Sequence, residues 1–108
     1  MRIMGFETIA ANSVYYYINK PGCIIVDLRS SQEYTKGHIP SAVNIPYEEL
    51  SRYSSMLARY QEVVLYCSRG NMSLLMAKNL KLPGVKVINL YGGIHVYRGE
   101  LEKGDNNI

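Results

Sequence analysis

Three short apolar runs punctuate the chain: Cys23-Ile24-Ile25-Val26, Val63-Val64-Leu65-Tyr66 and Val85-Lys86-Val87-Ile88-Asn89-Leu90. They are rich in β-branched residues and almost continuously hydrophobic, which predicts strands covered on both faces, as in a parallel sheet. Residues 5–9 and 42–45 carry weaker strand signals. The segments between them have helical spacing. Residues 10–19 place Ala11, Val14, Tyr15 and Ile18 on one face, and residues 47–60 group Leu50, Tyr53, Met56 and Leu57, although Ser51, Ser54 and Ser55 weaken that helix. Residues 73–82 bring Leu75, Met76, Asn79 and Leu80 onto one stripe. Pro21-Gly22 and Pro83-Gly84 stop the first and the last of these helices. Alternating strands and helices predict an α/β domain with a mostly parallel sheet. No linker, repeat or low-complexity segment divides residues 1–108, so one domain is expected.

Composition narrows the class. Of the 108 residues 47% are hydrophobic and 19% charged, which suits a folded domain rather than a disordered chain. The net charge of +3 is spread without a basic run, so it points to no nucleic-acid partner and is compatible with a small anionic substrate. There are two cysteines, Cys23 and Cys67, too few for a disulfide scaffold. No CxxC spacing occurs and the histidines are His38 and His95 alone, so no metal is expected. The first residues lack the apolar stretch of a signal peptide, and no segment reaches the length of a membrane span. A cytoplasmic, reducing setting with free thiols and no membrane partner is the expectation.

In parallel α/β sheets chemistry collects at the carboxyl ends of strands. The loop Tyr66-Cys67-Ser68-Arg69-Gly70-Asn71-Met72-Ser73-Leu74 lies at such an end. Gly70 and Asn71 tolerate positive φ, Ser73 occupies an expected N-cap and Leu74 opens the helix. A loop of this kind can turn successive N–H groups inward as an anion cradle, with the helix N-terminus and Arg69 adding positive charge. That setting favours a Cys67 thiolate, able to attack an electrophilic sulfur and hold the resulting persulfide. A small buried hydrophobe at a strand end is the competing role for Cys67. Cys23 opens a buried strand with no glycine loop beside it and is read as core.

Three motifs then occur in order. They are Val26-Asp27-Leu28-Arg29 with Glu33-Tyr34 and Gly37-His38-Ile39-Pro40-Ser41-Ala42-Val43-Asn44-Ile45-Pro46, the cysteine loop from Cys67 to Ser73, and Leu90-Tyr91-Gly92-Gly93-Ile94. Together they resemble the rhodanese family over roughly residues 25 to 97. The resemblance implies a three-layer α/β fold, a five-stranded parallel sheet flanked by helices. It implies a sulfurtransferase in which sulfane sulfur passes from thiosulfate or a persulfide donor to Cys67, then to cyanide, a dithiol or a protein thiol. It implies no metal or organic cofactor. Cys67 would be the catalytic residue, and the loop Ser68, Arg69, Gly70, Asn71, Met72 and Ser73 would surround the sulfur and its donor.

Two positions depart from the family's pattern. Its loop often carries Arg five positions after the cysteine, where this chain has Met72. That change favours a protein persulfide over thiosulfate as donor unless Arg69 supplies the charge. Tyr97 stands where the family usually has Trp, a substitution that keeps a large apolar body with a polar edge. Asp27, Arg29 and His38 read as structural support. Arg29 can bind substrate, or pair with Asp27 or Glu33 and brace the Gly37-His38 turn, and the pattern favours bracing. His38 is a potential general base for Cys67, but its tight turn favours a structural hydrogen bond. Within Tyr15-Tyr16-Tyr17 a helix face is expected.

Two other functions compete. Phosphatases and arsenate reductases of this fold use a loop one residue longer, with Arg six positions after the cysteine, and here that position is Ser73. A catalytically weak binding or regulatory module requires that the loop fail to activate Cys67.

Overall fold

The computed structural model describes residues 5–104. Five strands form one sheet: β1 (Phe6–Ile9), β2 (Cys23–Asp27), β3 (Val43–Asn44), β4 (Glu62–Tyr66) and β5 (Lys86–Leu90), in the order β1-β5-β4-β2-β3 with every pairing parallel. The helices are α1 (Ser31–Lys36), α2 (Ser54–Leu57) and α3 (Asn71–Asn79), with 3₁₀ turns at Ala11–Tyr17, Tyr47–Tyr53 and Gly93–Val96. This is the expected α/β architecture of a five-stranded parallel sheet flanked by helices.

The apolar runs are continuous because each strand feeds two cores. Ile24, Val26, Val63, Leu65 and Val87 face one side, where Leu50, Leu57, Ala77 and Leu82 cover them. Ile25, Val64, Tyr66, Ile88 and Leu90 face the other, under Val14, Tyr17, Tyr34, Ile39 and Tyr97. Each aliphatic side chain so buried contributes about 1.5–3 kcal/mol.

Several helix expectations are corrected. Residues 11–17 wind as a 3₁₀ helix, whose period of three puts Tyr17 beside Val14 in the core and leaves Tyr15 exposed. The segment 47–60 splits into a 3₁₀ turn and the short α2, with Leu50 and Leu57 buried as expected. α3 begins at Asn71, so Ser73 is its third residue and not its N-cap, and Gly70 holds the capping position at φ 96°. The buried residues of α3 are Ser73 and Ala77, flanked by Met72 and Met76, while Leu75 faces solvent. α1 was not expected at all. Its start is marked by a capping box in which Ser30 Oγ accepts from the Glu33 N–H and the Glu33 carboxylate accepts from the Ser30 N–H.

The strand order sets the site. From β2 the chain moves outward to β3, and from β4 it moves outward to β5 on the opposite side. The connections diverge between neighbouring β2 and β4, which makes the crevice above their carboxyl ends the sheet's topological switch point. Among the described residues no helix is long and apolar enough to cross a membrane.

Candidate active site

Cys67 follows β4 directly and is 6% exposed. Its Sγ accepts hydrogen bonds from the Gly70 N–H at 3.2 Å and the Ser73 N–H at 3.3 Å. The thiol in turn lies 3.5 Å from Ser73 Oγ. That hydroxyl has one proton, and its shortest contact, 2.6 Å to Asn89 Oδ1, takes it. Ser73 Oγ is therefore free to accept from the Cys67 S–H, and on ionisation the two backbone N–H groups and the α3 N-terminus hold the charge on sulfur.

Gly70 makes this curl possible. At φ 96° it turns the chain into α3, and any Cβ there would sit 2.9 Å from the Gly92 nitrogen. The Gly92-Gly93 turn braces the loop from behind. Ile94 N–H donates to Cys67 O and His95 N–H to Ser68 O, each at 3.0 Å. Ser68 and Arg69 N–H groups donate to no carbonyl among the described residues, and Asn71 and Met72 N–H groups occupy the first turn of α3, where no intrahelical acceptor exists. The loop thus offers backbone donors beyond the two on Sγ.

Above the sulfur lies a cavity of about 410 Å³ whose wall includes Leu28, Arg29, Tyr47, Cys67, Ser68 and Met72. Arg69, Asn71, Glu33 and Glu48 also border it. Met72 is partly buried against the core, and Arg69 is exposed and makes no ion pair among the described residues.

Arg29 reaches the cavity wall already committed. Its Nε and Nη2 donate to the Asp27 carboxylate at 3.0 and 2.7 Å, and Nη2 also donates to Gly37 O at 2.7 Å. Burial opposes the guanidinium charge, but the Asp27 hydrogen bonds and attraction outweigh it and raise the Arg29 pKa. Asp27 Oδ2 also accepts from the Tyr66 hydroxyl at 2.6 Å, and that hydroxyl accepts from the Ile39 N–H at 3.1 Å. Burial, reinforced by the Asp27 carboxylate, pushes the Tyr66 phenol far above its usual range, so it serves as a neutral donor. Asp27 and Arg29 therefore tie β2, β4 and the Gly37-His38 turn together.

His38 stands apart from the loop. It stacks on Tyr34 at 3.8 Å, its Nδ1 meets Tyr34 O at 2.9 Å, and its Nε2 faces Glu102 at 3.8 Å. Cys23 lies at the other end of β2, where burial and Glu62 push its thiol up to about 11. Among the described residues no group of three or more His, Cys, Asp or Glu gathers as metal ligands would. Sequence reasoning missed Asn89 and Tyr66. Asn89 had a signal, an amide inside the apolar strand Val87-Ile88-Asn89-Leu90, because a buried amide needs a partner.

A cysteine cradled by backbone donors at the switch point of a parallel sheet is an arrangement suited to a nucleophilic or group-carrying sulfur. Residues 10–100 match the Rhodanese-like domain, and the chain belongs to that family. It is 40% identical over 80 residues to a tRNA sulfurtransferase of Desulfurococcus amylolyticus, a match covering 74% of this chain and 16% of that relative. It is 27% identical over 105 residues to the thiosulfate sulfurtransferase GlpE of Coxiella burnetii, covering 96% and 98% of the two chains. The chain thus spans a small part of the first relative and nearly all of the second. Among solved structures it resembles the BH2092 protein of Bacillus halodurans, with a TM-score of 0.79 and 27% identity over 95% of this chain and 80% of that one. A rhodanese-like domain protein from Staphylococcus aureus shares the fold, with a TM-score of 0.77 at 24% identity over 91% of this chain and 98% of that one.

Proposed function

We propose that the protein is a sulfurtransferase that carries sulfane sulfur as a Cys67 persulfide, from thiosulfate or a persulfide donor to a thiol or cyanide acceptor. The observation that carries this is the Cys67 sulfur held by the Gly70 and Ser73 N–H groups at the floor of an open cavity. The Cys67 thiolate attacks the outer sulfur of the donor. A Cys67 S–S bond forms as the donor's own S–S bond breaks, and the donor leaves with the electron pair as a thiolate, or as sulfite when it is thiosulfate. The terminal sulfur keeps its negative charge, for which the loop's remaining N–H groups are suited. An acceptor thiolate or cyanide then attacks that sulfur and releases Cys67 as a thiolate. The family membership and the sulfurtransferase names of the relatives support this chemistry.

Within this class, a persulfide donor fits the cavity better than thiosulfate. Arg29 is consumed by Asp27 and Gly37, Met72 is neutral, and Glu33 and Glu48 border the cavity. Among the described residues, Arg69 alone offers uncommitted positive charge at the cavity. Met72→Arg is expected to raise kcat/KM for thiosulfate by about tenfold, the weight of one charge-assisted hydrogen bond, measured as sulfite release. An unchanged or lower value would show that charge at position 72 does not limit thiosulfate use.

The phosphatase alternative is tested directly. Turnover of a persulfide donor with a dithiol acceptor is expected to be readily measurable, and turnover of an aryl phosphate to be at background. Aryl phosphate hydrolysis abolished by Cys67→Ser would reverse the assignment. Absence of sulfur transfer from every donor tried would assign a binding or regulatory module instead.

A further inference from the structure

A second cavity, of about 440 Å³, lies across the cysteine loop from the first and is bordered by Leu74, Asn89, Tyr91 and His95. Arg69 and Asn71 border both. The two cavities therefore adjoin at these residues, with Cys67 bordering the first, and are termed the two arms on either side of Arg69 and Asn71. The arms differ in charge. The first has Glu33 and Glu48 at its border and two arginines, of which Arg29 is neutralised by Asp27 and Arg69 lies where it adjoins the second. Glu48 makes no ion pair among the described residues. Among the described residues no acidic side chain borders the second arm, Arg69 and His95 do, and exposed Arg98 donates to His95 O at 3.2 Å. Exposed apolar side chains stand along both arms: Tyr47 (40% exposed) in the first, Leu74 (44%) and Tyr91 (70%) in the second.

A small donor or acceptor has no use for this layout. Thiosulfate or a simple thiol occupies the space beside the sulfur, meets the two carboxylates, and leaves the second arm empty. An extended polypeptide uses all of it, because its residues advance by about 3.3–3.6 Å each and project side chains on both sides of a central cysteine. Aromatic anchors and opposite charges at the two ends give such a segment register and orientation.

We infer that the sulfur-exchanging partner of Cys67 is an extended protein segment bearing a cysteine, with a basic residue on the side that meets Glu48 and an acidic residue on the side that meets Arg69 and Arg98. This rests on the sulfurtransferase function proposed above and names its partner class. Thiosulfate or a small persulfide then loads Cys67 only inefficiently, and the protein segment is the efficient partner.

The test uses the full chain, loaded with one sulfur from a small persulfide and checked by intact mass. Transfer is followed to two synthetic peptides of identical composition, one with Lys before and Glu after a central Cys, the other with the order reversed. One orientation is expected to react about tenfold faster at low ionic strength, the combined weight of two exposed ion pairs, and the advantage should fade as salt is raised. The double variant Glu48→Lys/Arg98→Glu should invert the preference. Equal rates for the two peptides with the wild-type protein, or a preference unmoved by the double variant or by salt, would overturn the docking inference. Failure to load Cys67 at all would instead overturn the sulfurtransferase function.

Discussion

Asp27→Asn is expected to lower the unfolding free energy by about 3–5 kcal/mol, the cost of removing one member of a buried ion pair. The side chain keeps its size, so cavity formation plays no part. What changes is that the Arg29 guanidinium, only 10% exposed, loses the carboxylate that balances it. The amide nitrogen would also face donors, since each Asp27 oxygen now accepts from an N–H or the Tyr66 hydroxyl. In a chain of this length the loss corresponds to a fall in Tm of more than about 12 °C, which a circular dichroism melt resolves. Asp27→Asn/Arg29→Met should recover part of the loss, because the unpaired charge is then gone. A drop below about 1 kcal/mol, the range of an exposed ion pair, would show that this network does not hold the carboxyl ends of β2 and β4 together.

Gly93→Ala should damage stability and chemistry together. Gly93 has φ +63°, and an added Cβ would lie 2.4 Å from Cys67 O and 2.7 Å from Ser68 O, all backbone atoms that cannot swing aside. The left-handed conformation costs a non-glycine residue about 1–2 kcal/mol, and overpacking adds about 1–3 kcal/mol. The cysteine loop must retreat to make room, and a displacement near 1 Å at a reacting group costs about 100-fold in rate. Gly92→Ala is the control. It shares the positive φ of 77°, but its Cβ would meet the Val96 side chain and leave the Cys67 and Ser68 backbone untouched. Persulfide formation on Cys67, timed by mass spectrometry, should therefore slow about 100-fold in Gly93→Ala and far less in Gly92→Ala. Equal slowing in both would mean that the Gly-Gly turn does not set the loop's position.

The strands were legible because burial on two faces writes an unbroken apolar run, and the cysteine loop was legible because a strand end, glycine and a helix start lie within a few residues. The helix registers were harder. Over residues 11–17 a period of three and a period of 3.6 diverge by less than one residue per turn, so local pattern did not separate Tyr17 from Tyr15 and Ile18. Ser73 resembles an N-cap locally, yet the contacts that occupy it come from Cys67 and from Asn89, sixteen positions away. Only the pairing of β4 with β5 brings Asn89 near. Tyr66 likewise reaches Asp27 across 39 positions, through the β2–β4 register that sets Asp27 opposite Tyr66. By contrast, α1 did have a local signature in Ser30 and Glu33, hidden inside a stretch read for its family motif. The direction of Arg69, which spacing left open, is outward, at the border of both cavities.

The proposed passage of sulfur through Cys67 is tested most directly by intact-mass measurement after incubation with thiosulfate and, separately, with a small-molecule persulfide, followed by removal of free donor. The wild-type protein should gain the mass of one sulfur atom, and peptide mapping should place it on Cys67. Cys67→Ser should gain none, because Cys23, its thiol pushed up to about 11 by burial and Glu62, stays protonated and unreactive near neutral pH. Sulfur added equally to both proteins, or to neither with any donor, would contradict the mechanism.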